Sequence, residues 1–389
     1  MTGPGRRPRG PLGRLRRGAV PVAAASVVVL FPASVDSAEA GPPEAPATCS
    51  VEQVVATWPL RRVAAQTLVV PVDERHVGRV AGQVADGVGG VILFGSKAPA
   101  DLGADLARLQ RKAPDGIVPV VMADEEGGAV QRMANLVGSM PSARRMARTM
   151  TPAEVQALAR HVGGRMAAHG VTMNLAPVLD LDGRPGPSTT NPDGSRSFSI
   201  RPAVATAYGL AFAEGMRAVG VLPVVKHFPG LGHASANPDV APAWTRPWTA
   251  LQRKGLRPFR AAVDAGLPAV MVETARVPGL SRIPATLSKK VVQGVLRGQL
   301  GFDGLVVTDS LSAGAIRAAG FSVRRAAVRA LEVGADLLLF NAAPKAVPAT
   351  TDHVLRAIVR AVRAGDLPLD RLREAAVHVL VAKDAPVCG

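Results

Sequence analysis

The sequence has few aromatic residues, few cysteines and no long apolar run. Aromatic residues make up 3% of the 389 residues, and no basic run is interleaved with aromatics, which argues against nucleic acid as a partner. The two cysteines exclude a disulfide-rich scaffold. The most apolar stretch, residues 19–31, is shorter than the ~20 residues that a membrane-spanning helix needs, so we expect no stable membrane anchor.

The chain has fewer acidic than basic residues. The chain has 46 Lys and Arg against 30 Asp and Glu, for a net charge of +16 at pH 7. Six of the basic residues lie before Gly18, and the others are spread along the chain. This distribution is typical of a solvated basic surface, which favours residence near an anionic cell wall.

The first forty residues have the pattern of a secretory signal. An arginine-rich start is followed by the apolar stretch 19–31 and by small residues that offer Ala38-Glu39-Ala40 as a cleavage site. We therefore predict a signal peptide at 1–40, a linker or N-terminal segment at 41–59 and one folded domain at 60–389. An uncleaved interfacial anchor is the alternative. The leader therefore predicts that the protein is secreted and extracytoplasmic. Association with the cell wall is one form of this hypothesis.

The cysteines lie near the two ends of the predicted mature chain. In an oxidising compartment Cys49 and Cys388 would form one disulfide that ties these ends together. Two unpaired thiols are the alternative.

Short apolar runs of strand length recur between longer amphipathic segments. They do not alternate with polar residues, as expected for strands that are covered on both faces. Alternation of strand and helix predicts a parallel sheet, and eight repeats predict a single-domain TIM-type (β/α)₈ barrel of the α/β class, with an open doubly wound sheet as the alternative. The predicted strands are 66–72, 90–94, 118–123, 173–179, 222–227, 269–273, 305–309 and 336–340.

Polar residues follow most of these runs. Active sites of this barrel gather at the carboxyl ends of its strands, so these side chains are expected to form one ring. The ring would contain Asp124, Glu125, Glu126, Asp180, Lys226, His227, Glu273, Asp309 and Asn341.

Such a ring suits a hydroxyl-rich neutral ligand, because each sugar hydroxyl both donates and accepts a hydrogen bond. It also suits cleavage of an acetal, which in the retaining mechanism needs an ionised carboxylate at the anomeric carbon and a proton donor on the leaving oxygen. The sequence has no HExxH motif and no close His/Cys set, so we expect no metal. No glycine-rich phosphate fingerprint opens the first unit, and we expect no cofactor.

Several motifs, in order along the chain, resemble glycoside hydrolase family 3, and within it the single-barrel branch of bacterial β-N-acetylglucosaminidases. The resemblance covers roughly residues 60–340. It rests on the motifs 89–94 (GGVILF), 124–132 (DEEGGAVQR), 174–180 (NLAPVLD), 196–198 (RSF), 226–230 (KHFPG), 258–260 (PFR) and 301–311 (GFDGLVVTDSL).

The resemblance implies roles for particular residues. Asp309 would be the nucleophile that forms a covalent glycosyl intermediate; capping of the following helix is its structural alternative. Five further residues would bind sugar hydroxyls, with a salt-bridge network at the barrel rim as the alternative. They are Asp124, Arg132, Arg196, Lys226 and His227.

One loop departs from the family pattern. In the acetylglucosaminidase branch it ends in an Asp-Ser-His triplet that carries the acid/base dyad, whereas this chain has Asn237, Pro238 and Asp239 there. The dyad is missing as such. Asp239 and His233 are the two candidates for the catalytic proton donor, and position in the loop favours Asp239.

Two functions remain open from the sequence. The first is a secreted retaining exo-glycosidase that acts on β-linked (N-acetyl)glucosaminides with Asp309 as nucleophile. The second is a non-hydrolytic relative that binds a cell-wall sugar. A polysaccharide-binding module gains little support, because Trp58, Trp244 and Trp248 are the only tryptophans and such residues are more often packing residues. The oligomeric state is left open.

Overall fold

The computed structural model describes residues 49–387, whose main feature is an eight-stranded parallel sheet curled into a barrel. The barrel strands are β1 (Leu68–Asp73), β2 (Gly90–Phe94), β3 (Val120–Ala123), β4 (Met173–Asn174), β5 (Leu222–Phe228), β6 (Ala269–Val272), β9 (Leu305–Thr308) and β10 (Leu338–Leu339). The short strands β7 (Arg276–Val277) and β8 (Ser281–Pro284) form an antiparallel hairpin after β6.

The sheet comes close to full closure. Its order is β10-β1-β2-β3-β4-β5-β6-β9, and a parallel bridge between Val307 and Leu337 brings the two outer strands together. The Asp336 and Leu337 N–H groups both donate to the Val306 carbonyl. The predicted (β/α)₈ barrel is confirmed, and the open doubly wound alternative is wrong.

Helices surround the barrel. The α-helices are α1 (Val51–Thr57), α2 (Leu60–Gln66), α3 (Ala81–Ala85), α4 (Leu102–Gln110), α5 (Ala134–Val137), α6 (Ala143–Thr149), α7 (Pro152–Ala168), α8 (Pro202–Arg217), α9 (Trp248–Ala250), α10 (Leu256–Asp264), α11 (Gly314–Ala318), α12 (Val323–Glu332), α13 (Val347–Ala364) and α14 (Leu369–Ala382). Leu251–Gly255 and Lys290–Gln299 are π-helical, and 3₁₀ turns lie at Val77–Val80, Pro114–Gly116, Gly194–Arg196, Ala285–Leu287 and Pro344–Ala346.

Both faces of the sheet are buried, which explains why the strands read as continuous apolar runs. Val69 and Val307 point into the barrel interior, whereas their neighbours Val70 and Val306 belong to the apolar layer between strands and helices. Successive side chains of a strand lie on opposite faces, and here neither face meets water.

Some predicted strand limits are wrong for local reasons. Gln66 ends α2 instead of starting β1, and its side-chain amide donates to the Gly87 carbonyl at 2.8 Å. Val118 lies outside β3, since the following Pro119 has no N–H for the ladder. β4 stops at Asn174 because Pro177 interrupts the donors, although Val178 still bridges to Lys226.

The predicted signal peptide and Cys388 lie outside the described residues, so the Cys49–Cys388 disulfide stays a prediction. Part of the predicted N-terminal segment is helical: Ser50 and Gln53 form a capping box at the start of α1, and Val55 is buried. In the described part of the chain, no helix has the length and apolar character needed to cross a bilayer.

The buried carboxylate of Asp336, just before β10, connects the amino end of that strand to the surrounding helices. Asp336 accepts hydrogen bonds from the Arg297 Nη2 at 2.7 Å, the Arg371 Nη2 at 2.6 Å and the Val306 N–H at 2.8 Å, and lies 3.0 Å from the His378 Nδ1. Burial raises the pKa of Asp336, but its partners outweigh burial and hold the pKa below its usual value.

We expect Asp336→Asn to lower the free energy of unfolding by about 3 kcal/mol, because it leaves two arginines without their buried counter-charge. Urea denaturation at neutral pH measures the effect. Asp370→Asn, at an exposed site on α14, is the matched control and should change the free energy by less than about 0.5 kcal/mol. The difference between wild type and Asp336→Asn should shrink as pH falls through the low pKa of Asp336. Equal urea midpoints for wild type and variant at neutral pH would contradict this account.

Candidate active site

A cavity of about 490 Å³ opens at the carboxyl ends of the strands. Asp124 follows β3, Lys226 and His227 lie in β5, and Asp309 follows β9, and these four line the cavity together with Asn341. The other members of the predicted ring, Glu125, Glu126, Asp180 and Glu273, do not line it. The polar and charged side chains of its wall are Asp124, Arg132, Arg196, Lys226, His227, Asn237, Asp239, Asp309, Ser310, Ser312 and Asn341.

One wall of the cavity is a network of ion pairs. The Lys226 Nζ lies 2.7 Å from the Asp124 Oδ1 and 2.6 Å from the Glu126 Oε1. Arg196 binds both oxygens of Glu126, with Nε at 2.8 Å and Nη2 at 2.7 Å. The Arg132 Nη2 is 3.5 Å from the Asp124 Oδ2 at the outer edge.

These groups keep their charges although they are buried. Burial raises the pKa of Asp124 and of Glu126, but the neighbouring Lys226 and Arg side chains outweigh it and hold both values below normal. Burial lowers the pKa of Lys226, and the two carboxylates more than reverse this. The result is a paired polar wall that is charged at neutral pH.

Lys226 and His227 are consecutive residues of β5, yet both line the cavity. Consecutive side chains of a regular strand point to opposite faces. The pairing of β5 with β6 is irregular between Val225 and Phe228, and such an irregularity re-aims side chains toward a site.

His227 is held in one orientation and one tautomer. Its backbone N–H donates to the Asp180 Oδ2 at 3.0 Å, and its Nδ1 lies 2.6 Å from the same oxygen. The Arg196 Nη2 lies 3.4 Å from the His227 Nε2. Arginine can only donate, so Nε2 is the acceptor and Nδ1 carries the proton that binds Asp180. Burial and the two nearby cations lower the pKa of His227 to about 4, which keeps the ring neutral.

Asp180 is a support for this ring and not a wall of the cavity. It is fully buried, and its Oδ1 accepts the Leu231 N–H at 2.6 Å. Asp193 lies beside it, also fully buried, and neither of its carboxylate oxygens has a hydrogen-bond partner among the described residues. Burial raises the pKa of Asp193 to about 8, with Asp180 adding to the rise, so Asp193 is mainly protonated at neutral pH.

Asp180, Asp193 and His227 are the one group of side chains in residues 49–387 with ligand atoms close enough to share a metal ion. The tautomer of His227 does not fit this use, since its Nδ1 is protonated and its Nε2 faces an arginine. The absence of a metal stays a prediction.

Asp309 projects into the cavity and is half-buried. Its backbone N–H donates to the Val272 carbonyl at 2.9 Å, which fixes it to β6, and its Oδ1 accepts the Ser310 N–H at 2.6 Å. Burial and the neighbouring Asp239 carboxylate raise the pKa of Asp309, while the Ser310 N–H and Lys226 act in the opposite direction.

Asp239 reaches the mouth of the same cavity because the loop after β5 docks on α11. The Gly314 N–H donates to the Asp239 carbonyl at 2.8 Å, and the Ala315 N–H donates to the Pro238 carbonyl at 2.9 Å. A Cβ on Gly314 would lie 2.5 Å from the Val240 carbonyl carbon, so this approach requires glycine. The Asp239 side chain is exposed at this mouth, and partial desolvation together with the Asp124 carboxylate raises its pKa, while Arg196 offsets part of the rise.

Two predicted residues face elsewhere. His233 has a φ of 62° and lines a separate small pocket with Leu181 and Ile200, and its backbone N–H donates to the Asp182 Oδ2 at 2.9 Å. Glu273 is fully buried, and desolvation raises its pKa well above normal.

The sequence analysis placed Glu126 in the ring without a specific role, although Glu126 pairs with both Arg196 and Lys226. Its position two residues after Asp124 indicates that it lies beside the end of β3. A carboxylate buried there needs cationic partners, which here are Arg196 and Lys226. Glu125 instead shapes the loop that follows β3, since its Oε1 accepts the Arg132 and Met133 N–H groups, each at 2.6 Å. Nothing in the sequence marks Asp193.

A parallel barrel with carboxylates, a lysine, two arginines and a neutral histidine around one cavity at its carboxyl face has the arrangement of an enzyme active site. The family model "Glycosyl hydrolase family 3 N terminal domain" matches residues 65–382. The chain therefore belongs to glycosyl hydrolase family 3 and is a glycoside hydrolase.

Relatives and solved structures agree with this family. The chain is 40% identical over 310 residues to the Beta-hexosaminidase LpqI of Mycobacterium tuberculosis, covering 78% of this chain and 77% of LpqI. The M. tuberculosis LpqI structure superposes with a TM-score of 0.78 at 36% identity, covering 87% and 98% of the two chains. The Beta-N-acetylhexosaminidase of Beutenbergia cavernae gives a TM-score of 0.76 at 33% identity, covering 85% and 100%.

We expect Glu126→Gln to raise the KM for a glycoside substrate about tenfold, since Arg196 and Lys226 lose a shared anion and with it their fixed positions. Steady-state kinetics with a chromogenic glycoside measures this. Glu214→Gln breaks an exposed pair with Arg217 and is the control, with KM expected to stay unchanged. If KM is the same in both variants, the network does not position the binding groups.

Proposed function

We propose that the protein is a secreted, retaining β-N-acetylglucosaminidase with Asp309 as nucleophile and Asp239 as proton donor. The observation that carries the proposal is that these two carboxyl groups, from the end of β9 and from the loop after β5, line one cavity, in which the Asp239 carboxylate raises the pKa of Asp309. The similarity to a Beta-hexosaminidase and a Beta-N-acetylhexosaminidase supports the choice of sugar.

In the proposed reaction the Asp309 carboxylate attacks the anomeric carbon, and the bond from that carbon to the leaving oxygen breaks as the Asp239 carboxylic acid gives this oxygen its proton. The product is a glycosyl ester of Asp309 and a free alcohol. Water then attacks the same carbon, Asp239 takes the proton from this water, and the carboxylate of Asp309 leaves. Two inversions at one carbon retain its configuration.

The ion network supplies the ligands of the sugar in this proposal. Arg132, Arg196 and Lys226 present N–H donors to hydroxyl oxygens, and Asp124 accepts from hydroxyl hydrogens. The His227 ring is neutral, so it lines the sugar site without adding positive charge near the anomeric carbon. Because every group is already paired, binding needs little rearrangement.

His233 is the weaker candidate for the proton donor. It faces a different pocket from Asp309, and its Nε2 is buried without a partner in the described part of the chain. Burial lowers the pKa of His233, which also disfavours it as an acid at neutral pH.

Export and the terminal disulfide remain part of the proposal. The leader pattern at 1–40 supports secretion, as does a fungal relative from Arthroderma benhamiae, 31% identical over 75% of this chain and 83% of its own length, whose name reads "Uncharacterized secreted glycosyl hydrolase". An oxidising compartment would let Cys49 and Cys388 pair.

The sugar and the nucleophile are tested with a panel of nitrophenyl β-glycosides. We expect release of nitrophenol from the N-acetylglucosaminide and its loss, by at least about a thousandfold, in Asp309→Asn, because no other carboxylate occupies the attacking position. A binder without activity would release nitrophenol in neither protein while still binding N-acetylglucosamine. That result would favour the non-hydrolytic alternative.

The proton donor is tested with Asp239→Ala and His233→Ala. Asp239→Ala should lose about 10² to 10⁴ in rate on a poor leaving group but little on dinitrophenol, which leaves without acid help. Azide should restore turnover in Asp239→Ala by resolving the glycosyl ester as a β-glycosyl azide. His233→Ala should retain the wild-type rates. Loss of rate and rescue by azide in His233→Ala, with wild-type rates in Asp239→Ala, would identify His233 as the proton donor instead.

The pH profile tests the pairing of the two acids. Asp309 must be ionised and Asp239 protonated, so kcat/KM should form a bell. In Asp239→Asn no proton donor is left to titrate, so the alkaline limb measured with a dinitrophenyl glycoside, which leaves without acid help, should disappear while the acidic limb set by Asp309 remains. Asp303→Asn, near the amino end of β9 and exposed, is the control and should keep both limbs. An unchanged alkaline limb in Asp239→Asn would contradict the assignment of Asp239 as the proton donor.

A further inference from the structure

A second, larger depression lies beside the β7–β8 hairpin. This groove has a volume of about 1340 Å³, against about 490 Å³ for the catalytic cavity, and is open along its length. We call it the hairpin groove. The side chains used below are Trp244, Arg276, Arg282, Lys289, Lys290 and Arg329.

The hairpin groove is uniformly basic. Its lining has five Lys or Arg residues and no Asp or Glu. Within residues 49–387, Arg329 pairs with Glu332, whereas Arg276, Arg282, Lys289 and Lys290 have no ion pair at all. Four unpaired cations around one concave surface repel each other, and a bound anion would relieve that repulsion.

An exposed tryptophan lies in the same groove. Trp244 is 43% exposed, which is unusual for so large an apolar side chain. Its backbone is fixed: its N–H donates to the Ser235 Oγ at 3.0 Å, and its carbonyl accepts the Ser235 N–H at 2.9 Å. A flat apolar ring on a rigid segment is suited to contact the apolar face of a sugar.

The groove adjoins the loop that carries Asp239. The chain from Asp239 runs directly to Trp244, and the Arg276 N–H donates to the Ala243 carbonyl while the Thr245 N–H donates to the Arg276 carbonyl, both at 2.9 Å. The hairpin follows β6, so the groove and the catalytic cavity are both built by loops at the carboxyl ends of the strands.

We propose that the hairpin groove binds a strand of an anionic, carboxylate-bearing polysaccharide, with one sugar ring on Trp244 and carboxylates on Arg276, Arg282, Lys289 and Lys290. The site binds polymer independently of hydrolysis and keeps the enzyme on an acidic glycan. A polysaccharide fits better than a nucleic acid, because the groove has one aromatic ring and no series of rings on which successive bases would stack.

The test uses the full-length chain with Asp309→Asn, so that no glycoside is hydrolysed during binding. Calorimetry compares polygalacturonate oligomers with neutral chitin oligomers of the same length, at low and at near-physiological salt. We expect the polyuronate to bind more tightly than the neutral oligomer and to lose affinity as salt rises. Trp244→Ala should weaken polyuronate binding without changing its salt dependence.

A charge-matched pair of variants separates the groove from the net charge of the protein. Lys289→Ala/Lys290→Ala should weaken polyuronate binding about tenfold and lessen its salt dependence. Arg253→Ala/Lys254→Ala removes the same charge at an exposed site outside the groove and should change the affinity by less than about twofold. Equal weakening in both double variants overturns the proposal, since binding would then follow net charge alone.

A competition experiment settles the class of polymer. Single-stranded DNA of equal charge should displace the polyuronate poorly, and displacement at equal or lower concentration overturns the assignment to a polysaccharide. Lys289→Ala/Lys290→Ala with Asp309 intact should hydrolyse nitrophenyl glycosides at the wild-type rate if the protein is an active glycosidase. Polymer binding is measured without hydrolysis. A failure of the groove proposal is therefore distinguishable from a failure of the proposed glycosidase activity.

Discussion

The active site depends on the balance of buried charge between strands β3 and β5. Lys226 has 2% exposure and would be too costly to bury alone. It is stable there because Asp124 and Glu126 each lie within 2.7 Å of it, and Arg196 neutralises the remaining charge on Glu126. Two cations and two carboxylates thus hold one another in place, and the wall of the cavity is rigid before any ligand arrives.

The same charges divide the site into two electrostatic regions. Near the wall, Lys226 and Arg196 keep carboxylates ionised and lower the pKa of His227, so this region stays fixed in charge. On the opposite side, Asp309 and Asp239 have each other as neighbours and have raised pKa values. The two regions therefore differ in how readily their carboxyl groups take up a proton.

Sequence reasoning predicted the fold and part of this site because both follow from one geometric rule. Parallel strands end on one edge, so Asp124, Lys226 and Asp309 had to meet once eight strands were counted. This rule does not predict which way a side chain points once the chain has left the strand. For that reason Glu273 is predicted in the ring but is buried, and Asp180 lies behind His227 as its support.

Loop geometry was also beyond the reach of the sequence. Asp239 enters the cavity only because residues 237–240 rest on Gly314, which is distant in sequence and close only in the folded chain. His233 is nearer to Lys226 in sequence than Asp239 is, yet its left-handed backbone directs it to another pocket. Sequence proximity and residue type favoured neither candidate strongly, and the loop backbone places Asp239, but not His233, at the cavity that Asp309 lines.

A lone carboxylic acid in place of a His-Asp dyad has a consequence for the proposed reaction. While Asp309 is ionised, its charge helps Asp239 keep a proton, which is the state needed to release the leaving group. Formation of the glycosyl ester removes that charge. The pKa of Asp239 then falls, and the same group becomes the base that the second step requires. The reaction itself thus switches the donor between its two roles, and the positive side chains of Arg196 and Lys226 favour the ionised form once the switch has occurred.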